Sequence, residues 1–396
     1  ALYDRHLSAA GHQVTIFTLG APLPGEDGSK VIRSPGVSLG KTGYYFSVSY
    51  GSEAQSRLRE VDVLHCHHLL MGLEFAGRYG RNPVVFTNHT RYDIYLSAYG
   101  GLPYSVASMI MRQAWPRLTD IADAVIAPSA SIQRILRKSG VRAPIELIEN
   151  GVEIEQFLHP TGDKTRSAIG IPATATVFIY VGRLSREKNV RRLADEFIRA
   201  AGQAEDLHLL LVGAGSMEVE LKWQVASQGL ARRVHFLGQV KNTEVPALLA
   251  MSDAFVSASL SEVHPLAVIE SLATGIPVIA INSPGIADVV AHDRSGLLVD
   301  GTPGSLAAAM RLLASCRDMR HRLGAQARIA AEHYDIRFTV ERTVSLYRRL
   351  TAGQYGRKAS AAGRFGADPE GRRSSPDRRT VPKAALGSGG EGAREQ

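Results

Sequence analysis

Eleven short, almost wholly apolar runs punctuate the chain, and this rhythm restricts the fold more than any other feature. In the first half they are HQVTIFTL, VDVLHCH, NPVVFTNH, DAVIAPS and IELIEN; in the second, TVFIYVG, LHLLLVG, RVHFLG, DAFVSAS, IPVIAI and SGLLVD. A strand that is apolar at every position is covered on both faces, and helical patterns of about 10–15 residues separate the runs. This alternation predicts parallel, doubly wound α/β sheets. The rhythm lapses between 150 and 175, where polar residues, Pro and Gly collect, so a boundary between two such domains is expected there. With 396 residues, each domain has chain enough to bury a core of its own.

The opening stretch, ALYDRHLSAAGHQVTIFT, reads as a helix closed by Gly11 and followed by a strand. A doubly wound domain ordinarily opens with a strand that lies in the middle of its sheet. The expectation is that the chain begins inside the fold, with that first strand and the turn after it outside the sequence and a gap left in the first sheet.

Composition narrows the class. The 44% hydrophobic and 21% charged content is that of an ordinary globular protein, and no run of about 18 uncharged apolar residues suggests a membrane span. Cys66 and Cys316 are too few and too far apart for a disulfide framework, so a cytoplasmic setting is expected. The net charge is +8, yet nine cationic and five anionic residues follow Leu350. Half of the excess thus sits in a Gly/Ser/Pro-rich stretch with too little apolar surface to offset its ordering entropy, expected to be a disordered basic tail over 352–396. The remaining charge is too small for a dedicated nucleic-acid binder.

The chemistry concentrates in the second half. In SEVHPLAVIESLATGIPVIA, Glu262 and Glu270 stand eight residues apart. Pro265 suits a first helical position, and Gly275 and Pro277 end the helix. On a helical wheel Leu266, Ile269, Leu272 and Ala273 form the apolar face, with Glu270 at its edge. Glu262 falls in the loop leaving DAFVSAS, at the carboxyl end of a strand, where open α/β sheets bind their ligands. N–H groups at the helix start, beginning with Leu266, suit phosphate. Directly after TVFIYVG, VGRLSREKN places Arg183 and Lys188 at a second strand end, positioned to grip a diphosphate. Acids for hydroxyls beside cations for phosphate match a nucleotide-sugar.

From ENGVEIEQF through VGRLSREKN, LLLVGAGS, VHFLGQV and the paired glutamates, the chain resembles retaining GT-B glycosyltransferases of the large family (family 4 type) that includes sucrose and lipid glycosyltransferases. The resemblance covers about residues 1–350. It implies that Arg183 and Lys188 hold the donor diphosphate, that Glu270 binds the ribose hydroxyls and that Glu262 lies by the transferred sugar. It also implies that FLGQV, with Gly238 and Val240, lines the base pocket. Pro265 departs from the glycine frequent in the family. His264 beside it is open to two readings, a sugar-hydroxyl contact or a helix cap. No Asp-x-Asp motif follows a donor-half strand, so no metal and no other cofactor is expected.

In the first half, VVFTNHTRYDIY ends a strand at His89, which the resemblance sets against the donor sugar from the opposite domain. In HCHH, alternation sends His65 and His67 to one face and His68 to the other, which argues against a metal site. NHTRYDIY and the run from DAVIAPS to EQF look most like the branch that glucosylates diacylglycerol. Between them, GGLPYSVASMIMRQAWPRL (Tyr104, Met109, Ile110, Met111 and Trp115 beside Arg112 and Arg117) reads equally as a membrane-contacting amphipathic helix or a core-packed one. Tyr44, Tyr45, Phe46 and Tyr50 are candidates for an apolar acceptor lip.

The expected architecture is therefore GT-B: an acceptor-side domain over 1–150, a donor domain over 151–335, and a helix over 336–351 crossing back to the first domain. The expected activity is retaining transfer of a hexose from a UDP- or GDP-sugar to an acceptor hydroxyl, a membrane lipid such as diacylglycerol among the candidates. The protein would then sit in the cytoplasm or peripherally at the inner face of the membrane. A nucleotide-sugar epimerase of the same architecture, or an inactive nucleotide-binding fragment, are the alternatives.

Overall fold

The computed structural model describes residues 2–354 apart from 23–24, 39–44, 48, 163–164 and 205. The tail from 355 onward, and Tyr44, lie outside the described residues.

The described part of the first domain holds eight strands: β1 (Ile16–Leu19), β2 (Val31–Ser34), β3 (Val37–Ser38), β4 (Tyr45–Phe46), β5 (Leu64–Cys66), β6 (Val84–Thr87), β7 (Ala124–Ala127) and β8 (Ile145–Leu147). β5 to β8 form one parallel sheet in sequence order, β1 and β2 a separate parallel pair, and β3 and β4 a short antiparallel ribbon. β6 and β7 are buried at every position, as their unbroken apolar runs require. Helices Ser52–Glu60, Leu69–Tyr79 and Ala130–Lys138 cover the sheet, and Leu58, Leu73, Phe86 and Ile132 meet in one core.

The second domain is a six-stranded parallel sheet of β9 (Thr176–Val181), β10 (Leu207–Val212), β11 (Val234–Gly238), β12 (Ala254–Ser257), β13 (Val278–Ile281) and β14 (Gly296–Val299), in the order β11-β10-β9-β12-β13-β14. From β9 the chain winds one way through β10 and β11, then returns beside β9 and winds the other way. That reversal opens a crevice at the carboxyl ends of β9 and β12, the topological switch point. Phe178, Leu209 and Val256 point to one helical layer and Ile179, Leu210 and Phe255 to the other, so each strand feeds two cores.

The connection after β8 packs more than its polar composition suggests. Val152, Ile154, Phe157 and Ile171 are buried in the core of the second domain, because short apolar insertions between the polar residues fold down onto it. Helix Ile336–Thr351 then returns to the first domain. Leu346 and Leu350 pack against Val85, Ile126 and Ile148, while Ile336, Val340 and Val344 receive Leu7 of the N-terminal helix Leu2–Ala9. None of the helices in the described residues is long and apolar enough to cross a membrane.

Candidate active site

The two strand ends of the switch point are tied to each other before any ligand is considered. After β9 the backbone turns through Gly182 and a single 3-10 turn, Arg186–Lys188, and Asn189 takes the left-handed conformation (φ 55°). The Asn189 side-chain amide donates to the Ala258 carbonyl at the end of β12 (3.0 Å), and the Ser261 hydroxyl donates back to the Glu187 carbonyl (2.8 Å). These two bonds hold the loops in register and bring Lys188 Nζ to 2.8 Å from Glu262 Oε1, with both side chains mostly buried. Gly285 presses against the same loop from below: a Cβ there would lie 2.4 Å from the Glu262 carbonyl oxygen, so only glycine fits.

Arg183 leaves the end of β9 half-exposed and pairs with Glu187 at 3.0 Å. It also donates to the hydroxyl of Tyr95, and its guanidinium lies 5.7 Å from that ring's centroid. Tyr95 belongs to helix Tyr92–Gly100 of the first domain, so this contact spans the two domains.

The helix after Glu262 runs from Leu266 to Thr274 and is closed by Gly275 at φ 85°. Pro265 is its N-cap rather than its first helical residue, because its ψ of 115° is extended. The Pro265 carbonyl takes the N–H groups of both Val268 and Ile269, leaving those of Leu266 and Ala267 without an acceptor among the described residues. The apolar face is also rotated from the expected one: Val268, Ile269, Leu272 and Ala273 are buried, whereas the Leu266 side chain is 43% exposed. The helix packs on two sides, against β12 and β13 and against helix Arg317–Ala331, which no single-stripe wheel anticipates. Glu270 is half-buried at the margin of this surface; its carbonyl accepts from the Thr274 hydroxyl (2.9 Å), but its carboxylate makes no hydrogen bond or ion pair with another described residue. Burial pushes its carboxyl up to about 7.

His264 is buried, both ring nitrogens lack a partner among the described residues, and its ring meets Tyr334 edge-on at 5.3 Å. Burial brings its imidazole down to about 4, so it is neutral at physiological pH. No side chain caps the helix, and His264 offers only its backbone carbonyl, to Asn150. Its described neighbours are Asn150, where the connection between the domains begins, and Tyr334, just before the last helix. Gly238 ends β11 at φ 65° and its carbonyl accepts from Gly213, while Val240 packs partly buried on the sheet core. Both stand beside β10, on the far side of β9 from Glu262.

In the first domain His89 follows β6, and its Nε2 lies 2.9 Å from His67 Nδ1, the rings stacked at 5.2 Å. One of these two nitrogens must carry a proton and the other a lone pair. His67 shares its face with His65, whose nitrogens are satisfied by Tyr347 and Thr87. Helix Tyr104–Thr119 buries Ala107, Met111, Trp115 and Thr119 in the core and turns Met109, Ile110, Arg112 and Arg117 outward. Tyr45 and Phe46 are exposed, but Tyr50 is a core residue, stacked on Phe75 and donating to Glu74 at 2.9 Å, and is no part of a lip.

Two family models divide the chain between them: Glycosyltransferase Family 4 matches residues 4–156, and Glycosyl transferases group 1 matches 162–330. The GDP-mannose-dependent alpha-mannosyltransferase of Mycolicibacterium smegmatis is 31% identical over 341 residues, 82% of this chain and 85% of that one. The chain belongs to the family 4 glycosyltransferases. The alpha-monoglucosyldiacylglycerol synthase of Streptococcus pneumoniae is 27% identical over 350 residues, 83% of this glycosyltransferase and 77% of the relative. Among solved structures, the Anabaena protein HepE in complex with UDP and glucose superposes with a TM-score of 0.68 at 21% identity, covering 85% of this chain and all of that one, which establishes the GT-B fold.

In this glycosyltransferase Arg183, Lys188 and Glu262 therefore lie on two loops tied together at the switch point, and the Leu266–Thr274 helix follows the second of these loops. Three residues that sequence reasoning passed over belong with them: Glu187, Tyr95 and Tyr99. Tyr95 and Tyr99 do carry a signal, an i, i+4 pair of tyrosines on the helix just after His89. Nothing in Glu187 distinguishes it from a solvated acid until its burial is seen.

Proposed function

We propose that this protein is a retaining hexosyltransferase that uses a UDP- or GDP-sugar and an acceptor hydroxyl, with a membrane lipid such as diacylglycerol as the acceptor. The observation that carries the reading is the Lys188–Glu262 contact at the switch point, with Arg183 on the same loop as Lys188 and the Leu266 amide four residues beyond Glu262. Each of the two cations has a carboxylate partner, Arg183 in Glu187 and Lys188 in Glu262. When a donor enters, its diphosphate takes the place of Glu262 on Lys188, and the released carboxylate turns to the hydroxyls of the sugar. Arg183 and the Leu266 N–H complete the neutralisation without a metal. Glu270 accepts from the ribose diol, Gly238 and Val240 border the base, and His89 approaches the sugar from the opposite domain.

Transfer with retention follows from a same-face displacement. The acceptor oxygen bonds to the anomeric carbon as the bond to the phosphate oxygen breaks, and the acceptor proton passes to that departing oxygen. The lipid part of the proposal is supported by the exposed Met109 and Ile110 beside Arg112 and Arg117, a face suited to the anionic inner surface of a membrane. It is supported also by the Streptococcus pneumoniae relative named for diacylglycerol.

The test is donor turnover with and without diacylglycerol vesicles, in wild type and two variants. Glu270→Ala should weaken nucleotide binding by about tenfold, one charge-assisted hydrogen bond. Glu262→Ala should leave that binding near wild type and reduce transfer at least 100-fold, as loss of one transition-state contact does. Unchanged kinetics in both variants, or an epimerised donor formed without acceptor, would overturn the reading.

A further inference from the structure

Glu187 is a buried carboxylate at the boundary between the domains, and nothing in the proposed chemistry uses it. Its side chain is completely enclosed. It accepts hydrogen bonds from Ser185 (2.7 Å) and Tyr99, lies 3.5 Å from the Tyr95 hydroxyl, and pairs with Arg183. Burial opposes its charge, but the bonds from Tyr99 and Ser185 together with Arg183 outweigh that and hold it below the ordinary carboxylate range. A buried charge is tolerated only when it is paired and hydrogen-bonded, so Glu187 fixes its partners as firmly as they fix it.

Two of those partners come from the first domain. Tyr95 and Tyr99 occupy one face of helix Tyr92–Gly100, ring centroids 5.7 Å apart, and reach across to the loop after β9. That helix is anchored at its start by a two-pronged pair, Arg91 to Asp93 at 2.9 and 2.7 Å, and Tyr104 donates to the same carboxylate at 3.1 Å. His89 precedes it by three residues. One short, braced segment thus holds the first domain's candidate catalytic histidine and both hydroxyls that touch the second domain's arginine loop.

We propose that Tyr95 and Tyr99, acting with Glu187, are positioning residues that set the Arg183 guanidinium for the donor diphosphate and tie its placement to that of His89. The proposal rests on the donor-site reading above. Arg183 is a long, flexible side chain, and a cation placed on diphosphate is effective only if its geometry is set beforehand. The Tyr95 hydroxyl and ring and the Glu187 carboxylate supply that geometry, two of these three groups from across the cleft. The arginine is then correctly aimed only while the domains are closed on each other.

The experiment compares the nucleoside diphosphate with the nucleoside alone, by titration calorimetry on the full chain. UDP with uridine and GDP with guanosine serve as probes. Tyr95→Phe/Tyr99→Phe keeps both rings and removes only the hydroxyls. It should weaken binding of the diphosphate about tenfold, the loss expected for hydrogen bonds to charged groups, and leave the nucleoside within twofold of wild type. Glu187→Gln should show the same selective loss. Equal weakening of diphosphate and nucleoside would mark the tyrosines as merely structural, and unchanged or tighter diphosphate binding would likewise overturn the proposal. Arg183→Ala separates this inference from the reading beneath it. If that variant binds the diphosphate normally, the donor-site assignment itself fails. If it loses diphosphate binding while the tyrosine variant does not, only the positioning role fails.

Discussion

At the scale of single residues, Glu270 shows how burial converts a surface-type side chain into a titrating one. Its carboxyl is raised from an ordinary value of 4.5 to about 7 by desolvation, with no hydrogen bond among the described residues to offset the loss of water. Below pH 4.5 it is protonated in folded and unfolded chains alike. As pH rises from 4.5 to 7 the unfolded chain releases the proton while the folded one retains it, so stability falls across that window and the whole penalty is present above it. Glu270→Gln should therefore be more stable than wild type by about 2–3 kcal/mol at pH 8, a gap that largely closes at pH 5. Urea unfolding at the two pH values checks this, and a pH-independent gap would contradict it. The spacing of Glu262 and Glu270 in the sequence singles both out, but their surroundings do not follow from it. One finds Lys188 and the other finds none, because their neighbours come from other strand ends.

At the scale of elements, the switch point depends on close approaches that only small residues allow. A Cβ on Gly213 would stand 2.0 Å from the Gly182 carbonyl oxygen, so the loops after β9 and β10 could not touch as they do. Gly285, on the short helix Pro284–Ala287, is the corresponding contact beneath Glu262. Gly285→Ala should displace the Glu262 loop, lower kcat at least tenfold and cost about 1–3 kcal/mol of stability, as overpacking does at well-filled sites. Steady-state kinetics and thermal unfolding of that variant would show both effects; wild-type kcat with lowered stability alone would mean that the loop does not set Glu262. All eleven apolar runs named from the sequence contain a strand, since an unbroken apolar run has few alternatives in a folded chain. β2 escaped because VIRS has two apolar residues followed by two polar ones, neither an unbroken apolar run nor an alternation, and β3 and β4 because two residues make no pattern. The apolar face of the Leu266–Thr274 helix was misjudged for the opposite reason. Two packing partners bury more than one stripe, and a wheel assumes one.

For the whole molecule, the two domains are joined by more than the chain between them. Ser131, in the first turn of helix Ala130–Lys138, donates its backbone N–H and hydroxyl to the Asp288 carboxylate of the second domain, both at 3.0 Å. Leu346 carries the returning helix onto the first sheet and is fully buried there. Leu346→Ala should cost about 2–4 kcal/mol and release the end of that helix. Faster amide exchange over 340–351 than over the second domain's strands would show it, and uniform protection would not fit. The periodicity of the sequence determined two parallel α/β domains and the strand ends at which the candidate site residues stand, because those follow from local apolar pattern and strand-end position. Which side chains meet was decided only in three dimensions: Lys188 with Glu262, and Arg183 and Glu187 with two tyrosines nearly ninety residues away. Such pairings depend on domain closure and on loop register, and neither leaves a periodic trace along the chain.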